Sequence, residues 1–317
     1  MKHYLGLDLG GTGIKAGVVR EDYAITAKHS VPTLHRREAS DIVRDMADAG
    51  RTALKMAGLA ETDVEYVGIG VPSAINHTNS RVVFANNLGW KDFDLISAFQ
   101  REWDIPVHLG NDADVAVLAE VWAGVAREYE NVIMLTLGTG VGGGLIFNKK
   151  LYAGGDGFGT EPGHILLVAG GERCTCGNTG CFEAYGSVTG LIRDTIRAMA
   201  EHPETIMREM CADDISRVSG RTAFGAAKQG DAAGKKVVKD YIGYLALGIA
   251  SLTVLLRPQA VVLGGGVCNE GPELFIPLRE AVFPLVYASD IIGVPQILKA
   301  ELGNDAGIIG AALLGIG

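Results

Sequence analysis

Three apolar, strand-like runs in this chain each end in a cluster of glycines, and that repetition constrains the fold more than any other feature. The first run reads Leu7-Asp8-Leu9-Gly10-Gly11-Thr12-Gly13. The second, Thr136-Leu137-Gly138-Thr139-Gly140-Val141-Gly142-Gly143-Gly144, repeats the plan of strand, glycine turn and further strand. The third is Ala260–Leu263 followed by Gly264-Gly265-Gly266. Glycine makes up 44 of 317 residues, about twice the usual ~7%. Without a collagen period or low-complexity tracts, that excess means tight backbone turns. A phosphate needs several backbone N–H groups converging on it with no Cβ in the way, which glycine allows. Thr12 and Thr139 add hydroxyl donors to two of the turns. One such turn alone reads as an ordinary hairpin. Three of them suggest phosphate binding and two related halves facing one cleft.

Two familiar phosphate motifs are excluded. Residues 138–143 satisfy Gly-x-Gly-x-x-Gly, but that fingerprint requires a helix directly after the turn, and Gly144-Leu145-Ile146-Phe147 is β-like. No Gly-x4-Gly-Lys-[Ser/Thr] string occurs, so a P-loop is absent. Phosphates would then sit between β-strands and not at a helix N-terminus.

A formal net charge of −9 has the wrong sign for a counterion-releasing nucleic-acid binder. Hydrophobic residues at 48% and charged residues at 21% exclude wholesale disorder. Asp8 interrupts any secretory apolar core, so no signal peptide is expected. The uncharged run Tyr241–Leu256 is 16 residues long, short of the ~20 that span hydrocarbon, and reads as a buried core helix. The protein is expected to be cytoplasmic, with no membrane partner.

Periodicity places strands at 3–9, 14–19, 64–71, 106–109, 131–137, 143–147 and 260–263. Helices are expected at 39–58, 112–126, 187–202, 222–229, 231–256, 271–283 and 305–315. This mixture argues an α/β fold. No Pro/Ser-rich linker separates the halves, and a boundary falls near 110–125.

His164 precedes Cys174-Thr175-Cys176-Gly177-Asn178-Thr179-Gly180-Cys181, so one His and three Cys lie within 18 residues. Cys3His is a closed tetrahedral zinc set that leaves no position for water, hence a structural site. Free thiols, or one disulfide with a spare, are the alternatives. Gly177 and Gly180 let the loop fold back. Cys211 and Cys268 read as buried small hydrophobes.

Asn111-Asp112 joins a strand to a helix. Asp112 is either the N-cap or a general base projecting into a cleft. Glu161, His164 and Glu183 flank the cysteine loop, and carboxylates with amides suit a polyhydroxy ligand. Glu183 is alternatively a helix-start acid favoured by the dipole. Asp8 could hold hydrated Mg²⁺. Asn87-Leu88-Gly89-Trp90 offers an amide beside an aromatic ring, suited to sugar, or an ordinary loop with Trp90 in a core.

These residues together resemble the ROK family (repressors, open reading frames, sugar kinases) of the actin/hexokinase-like superfamily. The resemblance runs along nearly the whole chain, and its strongest part is the Cys-x-Cys-Gly-x-x-Gly-Cys-x-Glu string. Within the family the plan is most similar to the bacterial glucokinases. The resemblance implies two actin-like (ribonuclease H-like) α/β lobes with an interlobe cleft. The N-terminal lobe would be 1–111 plus the C-terminal helix 304–317; the larger lobe would be 112–303, with the zinc loop at 164–183.

The resemblance further implies an ATP-dependent kinase acting at O6 of a hexose, with glucose first. N-acetylmannosamine, N-acetylglucosamine or another hexose is the alternative, and a non-catalytic sugar-sensing regulator is the alternative of a different class. Family repressors carry a DNA-binding domain ahead of the first glycine turn, and here the strand starts at residue 3. Asp112 matches the catalytic base. Asn87, Asn111, Asp112, Glu161, His164 and Glu183 match sugar contacts. Gly10, Gly11, Thr12, Thr139, Gly140, Gly265 and Gly266 match nucleotide contacts, with Asp8 beside them for Mg²⁺. His164, Cys174, Cys176 and Cys181 match zinc ligands. A homodimer or homotetramer is expected. Pro162, Ser73, Asn86 and Asp114 depart from the usual pattern; Ser73 and Asn86 would lie near the sugar and bear on its identity.

Overall fold

The computed structural model describes residues 1–35, 37–76, 81–155 and 158–316. The Asn86 side chain and residues 156–157 of the glycine-rich run 154–159 lie outside the described residues. From the N-terminus, β1 (His3–Leu9), β2 (Gly13–Arg20) and β3 (Ile25–Pro32) lead into α1 (Ala39–Ala57). Then come β4 (Val64–Val71), β5 (Ala74–Asn76), β6 (Arg81–Ala85), β7 (Trp90–Phe93), α2 (Leu95–Glu102), β8 (Val107–Asn111) and α3 (Asp112–Trp122). β9 (Val132–Leu137), β10 (Val141–Phe147) and β11 (Lys150–Leu151) follow. α4 (Glu183–Gly186), α5 (Val188–Glu201), α6 (Ile206–Met210), α7 (Thr222–Lys228) and α8 (Ala232–Leu256) precede β12 (Ala260–Gly264). α9 (Pro272–Val282), α10 (Ser289–Ile292), β13 (Gln296–Lys299) and α11 (Ala306–Leu313) complete the order.

The internal echo in the sequence has a topological counterpart. One five-stranded sheet runs β3-β2-β1-β4-β8 and another runs β11-β10-β9-β12-β13. Each sets the strand that precedes a glycine turn at its centre. In the first sheet β1 pairs antiparallel with β2 and parallel with β4, and β4 pairs parallel with β8. In the second, β10 and β11 are antiparallel while β12 and β13 are parallel. A third, three-stranded sheet has the order β5-β6-β7.

Contacts group the chain into two compact units: Met1–Met134, Gly144–Thr160 and Ala300–Gly317 form one, and Leu135–Gly143 with Glu161–Lys299 form the other. The expected boundary at 111/112 differs from this division, because α3 packs against α11 inside the first unit. The C-terminal helix packs onto that unit where the strands beneath it carry glycine. An added Cβ on Gly6 would lie 2.0 Å from the Ile308 carbonyl oxygen, and one on Gly68 would lie 1.7 Å from that of Ala311. Only glycine lets helix backbone sit this close to strand backbone.

The other face of the first sheet is covered by α1, whose apolar stripe Ile42, Val43, Met46, Ala53 and Leu54 is buried. A strand covered on both faces reads as a nearly continuous apolar run, as β1 does with Leu5, Leu7 and Leu9 fully buried. The helix stops at Gly58, whose left-handed φ of 72° returns its N–H to the carbonyls of Leu54 and Lys55.

The helix expected over 112–126 ends at Trp122. The cause is Glu120, a fully buried acid. Its Oε2 accepts the Val125 N–H at 3.1 Å, and its Oε1 accepts those of Glu301 and Leu302, both at 2.9 Å. α8 runs for 25 residues, longer than the 16-residue run in the sequence. Its most apolar window is 56% buried within the protein, the position of a core helix.

Candidate active site

In the first unit, the β1–β2 turn closes when the Gly10 N–H donates to the Gly13 carbonyl at 2.8 Å. Thr33 holds it from behind. Its hydroxyl donates to the Gly10 carbonyl at 2.6 Å and its N–H to the Thr12 carbonyl at 3.2 Å. Thr33 is fully buried, and no sequence signal singles it out. Asp8 lies opposite Lys15 in the β1–β2 register. The Lys15 ammonium donates to Asp8 Oδ2 at 2.9 Å. That partner could have been found by pairing the two strands across the glycines.

Asn87 is exposed on a 3-10 turn, Asn86–Leu88. A Cβ added to Gly11 would meet Asn87 Cβ at 3.5 Å, so the structure brings a predicted sugar contact beside a predicted nucleotide turn. Trp90 is not part of this surface. It is 5% exposed and packs on Phe93 with ring centroids 4.7 Å apart. Trp90 thus takes the core position, while Asn87 stays on the surface.

The capping role offered for Asp112 belongs to Asn111. Its Oδ1 accepts the Ala113 N–H at 2.7 Å, and its amide donates to the Ser73 carbonyl at 2.7 Å. Asn111 thus ties the start of α3 to the loop after β4, with Ser73 itself buried. Asp112 is the first residue of α3 and is exposed, its Oδ1 accepting the Ala113 N–H at 2.9 Å. Even so, its carboxyl is pushed up to about 6, first by desolvation and then by the negative charges of Asp8 and Asp114. Solvent reaches this side chain, but the surrounding protein keeps water from fully hydrating it. Those are the conditions for a carboxylate that can take a proton near neutral pH.

In the second unit, the turn between β9 and β10 closes through the Gly138 N–H donating to the Gly140 carbonyl at 3.0 Å. The start of α5 supports it. The Val188 N–H donates to the Gly138 carbonyl at 2.8 Å, and the Thr189 hydroxyl to the Thr139 carbonyl at 2.7 Å. The third glycine turn packs directly on the same hairpin. Gly265 has φ 103°, and an added Cβ would lie 2.0 Å from the Leu137 carbonyl oxygen. Gly138 and Gly266 have open space where a Cβ would stand. Thr139, Gly140, Gly265 and Gly266 therefore form one neighbourhood.

The four zinc candidates also converge. Their ligand atoms all lie within 4.8 Å of one another. Cys174 Sγ is 3.6 Å from His164 Nδ1, and Cys176 Sγ is 3.7 Å from Cys181 Sγ. A zinc tetrahedron with Zn–S of about 2.3 Å and Zn–N of about 2.0–2.1 Å requires about 3.5–3.6 Å between S and N and about 3.7–3.8 Å between sulfurs. The donor set fits the metal. All five cysteines are free, so the disulfide alternative falls away. Gly177 and Gly180, at φ 95° and 80°, make the fold-back of the loop.

Glu183 opens α4, as the helix-start reading required. Its carboxylate is committed to the protein: Oε2 accepts the Val141 N–H at 3.1 Å, and Oε1 accepts the Thr175 hydroxyl at 2.5 Å. Glu161 is exposed immediately before the 3-10 turn Pro162–His164.

The chain is similar to known proteins over nearly its full length. The model of the ROK family matches residues 4–317. A glucokinase of Halalkalibacterium halodurans is 34% identical over 98% of this chain and 94% of its own. A ROK family glucokinase from Streptomyces griseus, solved in complex with glucose and AMPPNP, superposes with a TM-score of 0.80 at 33% identity, covering 98% of both chains. A ROK hexokinase from Thermus thermophilus gives a TM-score of 0.82 at 33% identity over 98% of this chain and 97% of its own. The fold class is therefore the α/β, actin-like one that the sequence resemblance implied. With its glycine turns, its Cys3His loop and this match over nearly its full length, the chain belongs to the ROK family.

Proposed function

We propose that this protein is an ATP-dependent hexose kinase of the glucokinase type, transferring the γ-phosphoryl group of ATP to O6 of glucose. The observation that carries the reading is Asp112: a solvent-reachable carboxylate at a helix start, with its proton affinity raised to about 6. Phosphoryl transfer passes through a loose, in-line transition state, so positioning and charge neutralisation carry most of the catalysis. Asp112 orients the sugar 6-hydroxyl and takes its proton as the O6–phosphorus bond forms. The bond from phosphorus to the β-phosphate oxygen breaks, and ADP leaves with that electron pair.

The Gly10–Thr12 turn and the Thr139–Gly140 and Gly265–Gly266 turns supply backbone N–H groups and hydroxyls to the nucleotide. Mg²⁺ would supply charge neutralisation on the phosphates when bound, and Asp8, paired with Lys15 in its absence, would be the carboxylate that holds it through water. Asn87, Asn111, Glu161, His164 and Glu183 contact the sugar. Asn111 and Glu183 do so while their side chains also brace the protein. Zinc held by His164, Cys174, Cys176 and Cys181 fixes the loop and takes no part in the chemistry.

Net charge −9 supports a protein without a nucleic-acid partner. Self-association as a homodimer or homotetramer, and a cytoplasmic location, are part of the same reading.

A panel of sugars with ATP and Mg²⁺, reading ADP release, tests the function. Glucose is expected to give the highest kcat/KM, with N-acetylmannosamine, N-acetylglucosamine, allose and fructose at least about tenfold lower. ADP release that no sugar stimulates would refute the kinase reading.

A further inference from the structure

One hydrogen-bond chain joins the zinc loop to the glycine hairpin of the second unit. Thr175 stands between the ligands Cys174 and Cys176. Its hydroxyl donates to Glu183 Oε1 at 2.5 Å, and Cys174 Sγ lies 3.4 Å from the same oxygen. The other oxygen, Oε2, accepts the N–H of Val141, the residue that leaves the hairpin turn and opens β10. Gly140 makes room for that carboxylate: a Cβ there would lie 2.3 Å from Oε2.

A close approach packs against the same residue on its carbonyl side. A Cβ added to Gly163 would lie 2.0 Å from the Val141 carbonyl oxygen, and Gly163 belongs to the turn that ends in His164. The zinc loop therefore holds the N–H of Val141 through Glu183, and Gly163 packs closely against its C=O. A hydrogen bond to an ionised carboxylate is among the stronger ones in a protein, so losing the hydroxyl that fixes Oε1 loosens the grip of Oε2.

We infer that Thr175 is a positioning residue for the nucleotide. It fixes the Glu183 carboxylate and, through it, the Gly138–Val141 hairpin, so that the zinc loop sets affinity for ATP as well as for sugar. The inference rests on the proposed role of that hairpin in phosphate binding.

Thr175→Val and Thr175→Ser, compared as purified zinc-loaded proteins, test it. Amide hydrogen exchange at residues 138–143 is expected to accelerate about tenfold in the valine variant and to return to the native rate in the serine variant. The Kd for AMPPNP should rise about tenfold in step, with zinc content unchanged and kcat at saturation of both substrates within about twofold of native. Native exchange at 138–143 in a zinc-replete valine variant overturns the relay. Faster exchange with unchanged AMPPNP affinity overturns the phosphate role of the hairpin and leaves the relay standing, so the two failures are distinguishable. Should the valine variant lose zinc, Glu183→Gln, which lies outside the metal set, is read by exchange at 138–143 and AMPPNP affinity in the absence of sugar, with no expectation placed on kcat.

Discussion

At the scale of single residues, the chemistry rests on a carboxylate whose surroundings disfavour its charge. A carboxyl held at about 6 by desolvation and by Asp8 and Asp114 must lose its proton before it can act as a base. The acid limb of kcat/KM is therefore expected to bend near pH 6, with activity lost as the pH falls through that value. Asp112→Asn should lower kcat by roughly 10²–10⁴ while glucose still binds in a calorimetric titration. Stability should move the other way. Because the folded-state value lies above the ordinary carboxylate range, the folded protein takes up the proton before the unfolded chain does. Ionised Asp112 thus weakens the fold above pH 6, and the weakening fades as the pH falls toward 4. Asp112→Asn is expected to raise Tm at pH 8 and to lose that advantage by pH 4. Near-native kcat, or a lower Tm at pH 8, would contradict the assignment. Much of this site was legible in the sequence because its residue types are chemically specific: His164 and the three cysteines announce a metal by composition and spacing. The partners of Glu183 were not legible, since Val141 lies 42 residues before it. Nor was Thr33, a buried hydroxyl 23 residues after the Gly10 carbonyl it holds.

At the scale of elements, the sequence treats all turn glycines alike, and the structure divides them. Gly140 leaves room for the Glu183 carboxylate, and Gly265 lies flush against Leu137 backbone at a φ that side chains avoid. Gly138 and Gly266 face open space. The division predicts opposite outcomes for neighbouring substitutions. Gly265→Ala should destabilise the protein by at least about 2 kcal/mol in urea unfolding, from backbone strain and overpacking together. Gly266→Ala should leave Tm within about 2 °C of native and raise KM for ATP about tenfold, because its methyl group would occupy space proposed for phosphate. Equal stability losses in both variants would make Gly266 a packing glycine too. The long elements were read correctly because their burial matches their period. The edge strands β3 and β13 escaped: β3 has no fully buried residue and alternates only between half-buried and exposed positions, and β13 has four residues with Ile297 alone buried. α3 was read four residues too long because its end is set by Glu120 reaching the segment 301–302, a tertiary contact that periodicity does not carry.

At the scale of the whole molecule, the chain enters its first unit three times, and the last entry completes the core. α11 lies against β1, β2, β4 and α3, and glycines at Gly6, Gly68 and Gly310 let backbone meet backbone: a Cβ on Gly310 would stand 1.6 Å from the Val115 carbonyl oxygen. The Tyr66 hydroxyl adds a hydrogen bond to the Ala312 carbonyl at 2.5 Å. Asp112 opens the helix that α11 braces, so the position of the base depends on a segment nearly 200 residues further along the chain. Gly68→Ala tests this dependence. Its methyl would overlap the Ala311 carbonyl at 1.7 Å, and neither backbone can yield without moving a strand or the helix. We expect a loss of about 2–3 kcal/mol in urea unfolding, with kcat falling because α3 shifts with α11. The zinc loop belongs to the other unit, so zinc content should stay native. A native unfolding midpoint in Gly68→Ala would show that α11 can slide without cost, and the proposed bracing of Asp112 from the C-terminus would fail with it.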